Sequence, residues 1–246
     1  MIRTANPALK DSTFTGSFGM TQGDRMTLQG TINKSFILLL LLVLPAAYTW
    51  DLVVSGHTDF LPVIMIGGLA GGFILALVTV FKQTWSPVTS PLYALFEGAF
   101  LGALSGLMEM QFPGIVIQAV ALTFGVFFSL LFVYKARLIN VTENFKLGVA
   151  AATGGVALIY MASFILGFFN INIPYIHENG LIGIGFSLVV VVIAALNLVL
   201  DFDFIERGAE RGAPAYMEWY AAFGLLVTLV WLYIEILRLL SKLRSR

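Results

Sequence analysis

The chain has no cysteine and only two histidines, and charged residues fill 11% of its 246 positions. Without cysteine there is no disulfide framework, no thiolate nucleophile and no cysteine-ligated metal. His57 and His177 both fall in short linkers, which argues against a zinc site. Lys and Arg total 14 and balance 14 Asp and Glu, and no basic stretch interleaves with aromatics, so nothing points to nucleic acid. There is no HExxH, no GxSxG, no Ser/Lys or Ser/His pair on facing segments and no nucleotide loop. GIGFS at 183–187 reads as an apolar helix segment rather than a phosphate cradle. The expectation is a protein that is not an enzyme and carries no resident cofactor.

What is present is apolar. The chain is 59% hydrophobic with a mean hydropathy of +0.91. A soluble domain of this length could not hide that much apolar surface, whereas lipid accommodates it. Residues 1–33 differ from the rest: rich in Ser, Thr, Gly, Asn and Asp, they read as a mobile polar arm preceding a membrane domain at 34–246. No basic start leads directly into a short apolar run, which argues against a cleavable signal peptide. A span needs about 20 mainly apolar residues. On that rule seven helices fall at about 35–54, 60–81, 88–108, 113–134, 145–169, 180–203 and 216–240. Pro113 suits the first turn of the fourth, and Pro45 lies mid-span in the first.

Lys and Arg set the orientation. Arg3, Lys10, Arg25 and Lys34 precede the first span, Lys82 follows the second, and Lys135, Arg137 and Lys146 lie between the fourth and fifth. Arg207 and Arg211 lie between the sixth and seventh. The alternate linkers carry Asp51, Asp59, Glu109 and Glu178 but no Lys or Arg, so the N-terminus is expected in the cytoplasm. The tail with Arg238, Lys242, Arg244 and Arg246 dissents, since seven spans put it outside. Glycines at 67, 68, 71 and 72, and at 98, 102 and 106, form small-residue stripes that let helices approach closely.

Carboxylates inside a span are costly unless paired, neutralised or hydrated. In the sixth helix, steps of three and four back from Asp201 give Asn197, Ala194, Val190, Ser187 and Gly183, one small or polar face directed into a bundle. Asp203 lies about 200° away and is expected at the interface, paired with Arg207. On the seventh helix Ala221, Gly224, Thr228, Trp231, Glu235 and Arg238 form a comparable stripe. Glu235 has an i,i+3 partner in Arg238 as its ordinary explanation, and Glu218 the helix dipole. Glu97 lies inside the third span and should face helices or water. Lys82 either reaches an interior acid or snorkels to the headgroups. Acids beside Asn, Ser and Thr suit cation coordination or proton binding, and carboxylates in low dielectric can sense pH.

The string ALNLVLDFDFIERGAERGAPAYMEWYAAFGLLVTLVWLYIEILRLL resembles the C-terminal helix pair of the Bax inhibitor-1/YccA family, in its bacterial branch with an extended N-terminal arm. NPAL at 6–9, RMTL at 25–28 and SPLYALFEGAFLGALSGLME are similar to the same branch. The resemblance implies an all-α integral membrane fold of seven transmembrane helices, a central seventh surrounded by the other six. It also implies a pH-sensitive calcium leak channel gated by one Asp from the sixth helix and one from the seventh, with a basic residue near the end of the second. The first Asp falls on Asp201 and the basic residue on Lys82, but Thr228 stands at the second acid. Glu97, Glu218 or Glu235 are the candidates to replace it. The expected partners are the lipid bilayer and calcium or protons, with calcium bound only transiently at Asp201. The expected location is a bacterial inner membrane. The alternative is a non-conducting modulator that binds membrane proteases or other membrane proteins. A transporter is a third option, but no inverted repeat is evident.

Overall fold

A computed structural model describes residues 25–169 and 180–245. Arg3, Lys10, His177, Glu178, Arg246, the NPAL motif and most of the polar arm lie outside these residues. Seven α-helices account for nearly all of the rest: α1 (Leu28–Val54), α2 (Leu61–Phe81), α3 (Ser86–Gln111), α4 (Ile115–Lys135), α5 (Glu143–Phe168), α6 (Leu181–Glu210) and α7 (Met217–Arg244). All seven are long and apolar enough to cross a bilayer. This is a multi-pass, all-α membrane protein. On α2, the large side chains Val63, Ile66 and Phe73 are exposed, as lipid-facing positions are. The seventh helix is the most covered, with 56% of its most apolar stretch buried against 11% for α5.

The helix ends correct the sequence-based boundaries where polar residues continue a helix beyond its apolar run. α1 begins at Leu28, seven residues early, because Thr27 caps it by accepting a hydrogen bond from the Gly30 N–H. α6 runs on to Glu210, held by the i,i+4 pair of Asp203 and Arg207. Asp201 therefore lies inside the helix rather than at its end. Pro113 precedes α4 instead of opening it, in a turn where Gly114 has φ +79°. Glu109, at the end of α3, caps that turn by accepting from the Gly114 and Val116 N–H groups.

The chain divides into two compact units, and both α6 and α7 pass from one to the other. In residues 25–116 with 203–227, α3 packs against α1 and α2 along glycines. A Cβ at Gly102 would strike the Ala46 carbonyl and the Thr49 hydroxyl, and one at Gly98 would meet Leu42 and Pro45. Gly68 and Gly72 do the same for α2 against Phe100 and Glu97. In residues 117–202 with 228–245, aromatic edges join the helices: Phe202 lies 5.6 Å from Phe127 and 5.7 Å from Tyr134 between ring centroids.

Candidate functional site

The small and polar face of α6 finds partners along its length, all within the second unit. Asp201 is buried and hydrogen-bonds the Thr228 hydroxyl of α7. Its Oδ2 is also buried and has no hydrogen-bond partner among the described residues. One turn back, the Asn197 amide donates to Thr153 Oγ1 of α5 at 2.8 Å and to its own helix at the Ile193 carbonyl. Farther along, Ser187 and the Gly183 carbonyl accept from Lys242 Nζ at 2.9 and 3.0 Å. Ala194 and Val190, between these groups, are fully buried. The structure thus brings Asp201 and Thr228 together, the two positions that the family resemblance aligned with the acidic pair.

Asp203 has a different environment, as the 200° offset on α6 requires. Its Oδ1 accepts from Arg207 Nε at 3.0 Å. The pairing is the expected one, and the residue is buried.

Glu235 does not stand in for the missing acid beside Asp201. It lies seven residues beyond Thr228, or about 10 Å along the axis, and has its own cluster. It is 1% exposed and accepts from Tyr160 of α5 at 2.9 Å and from Arg238 Nη1 at 3.2 Å. Arg238 also donates to the Tyr160 hydroxyl at 2.6 Å and lies over its ring. Tyr160 and Lys242 were missed in the sequence. Tyr160 is a single hydroxyl in an apolar run, and Lys242 looked like a tail residue. The available signal was spacing: Lys242 continues the Thr228–Glu235–Arg238 stripe by four. Lys146 was also read as a linker charge, yet it is buried in the first turns of α5, paired with Glu143 at 3.2 Å.

The remaining candidates belong to the other unit. Glu218, in the first turn of α7, holds the start of α1: it pairs with Lys34 and accepts from Thr27 through both N–H and hydroxyl, at 2.8 and 2.9 Å. The adjacent backbone is tied by the Met26 N–H to the Ala213 carbonyl at 2.6 Å. Glu97 is buried on α3, with a carboxylate oxygen 2.8 Å from where a Gly72 Cβ would stand. Lys82 is exposed and lies over the Trp85 ring.

Among the described residues no three His, Cys, Asp or Glu side chains gather as a metal site. The Asp201 site offers one carboxylate and one hydroxyl, a donor set for a passing cation or a proton rather than for a resident metal.

A family model described as "Bax inhibitor 1 like" matches residues 6–245. No curated protein and no solved structure matches the chain.

Proposed function

The chain belongs to the Bax inhibitor 1 like family, and on that premise we propose that it is a pH-sensitive calcium leak channel of a bacterial inner membrane, with its N-terminus in the cytoplasm. The observation that carries this reading is the buried Asp201 carboxylate, one oxygen bonded to Thr228 and Oδ2 without a donor. A hydrogen bond to an ionised carboxylate is about twice as strong as a neutral one. Ionised Asp201 therefore holds α6 to α7 firmly and closes the route. Protonation weakens the contact without abolishing it, because the carbonyl oxygen of the acid still accepts from the hydroxyl. With Thr228 where the family pattern has an acid, a single proton controls the gate, and the pH response is shallow. Oδ2 is the oxygen a dehydrating cation meets, and calcium prefers carboxylate and other oxygen ligands. Two protein oxygens fall short of the six to eight that calcium takes when held, so the ion passes rather than stays.

The test is calcium flux into liposomes containing the purified protein, between about pH 6 and 8. Asp201→Asn, uncharged throughout, is expected to remove most of the pH dependence, whereas Asp203→Asn leaves it intact. Equal effects from the two would reject the assignment of faces on α6. Absence of flux in the wild-type protein would reject the channel and leave the modulator that binds membrane proteases or other membrane proteins.

A further inference from the structure

The Tyr160–Glu235–Arg238–Lys242 cluster lies on the same unit and the same helix pair as Asp201, yet no part of the gate described above uses it. Its charges are asymmetric in burial. The Glu235 side chain is 1% exposed, whereas that of Arg238 is 37% exposed and has room to turn away from it. Tyr160 contacts both, donating to the carboxylate and accepting from the guanidinium. Lys242 is itself buried and ties α7 to the Gly183 turn of α6. Buried ion pairs add little net stability over apolar packing, and their better-attested use is in specifying or switching a state.

Resting on the reading of the Asp201 face as a cation route, we propose that Glu235 is the second carboxylate of that route, selecting cations, and that Arg238 and Tyr160 hold it shut. In the closed state Arg238 neutralises Glu235 and occupies the oxygens that an entering ion would need. When Arg238 swings outward, Glu235 is left as an anionic oxygen ligand about two turns of α7 from Asp201. The route then has two carboxylates in series, rather than the facing pair that the family resemblance implies.

The absence of cysteine allows a test that needs no calcium conduction. Val190, fully buried on the α6 face between Ser187 and Asn197, is replaced by cysteine as the lone thiol. Proteoliposomes are treated with a cationic trimethylammonium thiosulfonate or with its anionic sulfonate counterpart. The thiol should be protected in the otherwise native chain. Arg238→Gln should raise its labelling by the cationic reagent roughly ten-fold, the factor expected for losing one charge-assisted bond, and labelling by the anionic reagent far less. Adding Glu235→Gln should abolish that charge preference. Tyr160→Phe, which keeps the ring and removes only the hydroxyl, should give a smaller increase and serves where Arg238→Gln does not fold. Unchanged labelling in variants that melt as the parent does would overturn the latch. Equal labelling by both reagents would overturn cation selection by Glu235. A wild-type protein without calcium flux would reject the leak channel, while the labelling pattern would still decide the latch.

Discussion

At the residue scale the molecule separates acids that hold it together from acids that have room to react. Glu218 belongs to the first kind. Three donors from α1 converge on it, and Gly30 lies so near that any Cβ there would fall on the carboxylate. Glu218→Ala is expected to lower stability by about 2 kcal/mol, since charge-assisted hydrogen bonds contribute roughly 1.5–3 kcal/mol and Thr27 and Lys34 both lose theirs. Gly30→Ala should destabilise through the same contact. Thermal unfolding in detergent checks both, and a melting temperature unmoved by Glu218→Ala would show that the α1 cap holds without it. Asp201 belongs to the second kind, with one oxygen committed and one free. Thr228→Asp would restore the second acid of the family pattern, and the pH dependence of calcium flux is expected to steepen from one proton toward two. An unchanged slope would show that Thr228 is not the position equivalent to that acid.

At the scale of helices, glycine decides which faces touch. Gly102→Ala is expected to cost about 1–3 kcal/mol, the usual range for overpacking, because α1 meets α3 backbone to backbone there. Gly125→Ala and Gly154→Ala have open space around the added carbon and should be nearly neutral. Because Ala favours a helix over Gly, propensity alone would raise stability at all three positions, and comparable losses at all three would show that the α1–α3 contact is not what the Gly102 substitution disrupts. The stripes on α2 and α3, the seven spans and the polar face of α6 were legible because small-residue spacing and apolar length are local signals. Helix ends were less so. Hydropathy records where a chain leaves lipid, whereas Thr27 and the Asp203–Arg207 pair carry α1 and α6 past that point. Asp201 and its pairing position were readable from periodicity and resemblance together. Tyr160 and Lys242 were not, because their partners lie 75 and 59 residues away in the chain.

At the scale of the whole molecule, the basic tail no longer opposes seven spans as strongly as its charge count suggests. Lys242 is buried against α6 and Arg238 is engaged by Glu235 and Tyr160, so both have structural partners besides any topological signal. Reporters fused after residue 57 and after residue 140 flank three helices and are expected on opposite sides of the membrane. Both on one side would exclude this topology. The clasp of α1 by Glu218 also bears on biosynthesis. Thr27 and Glu218 are 191 residues apart, and at 5–20 residues per second a ribosome needs roughly 10–40 s to make the intervening chain. Throughout that interval the first helix is inserted with its Lys34 ammonium lacking the native counter-ion. Nascent chains that stall before the last helix never acquire it, and in this unfinished copies differ from finished ones.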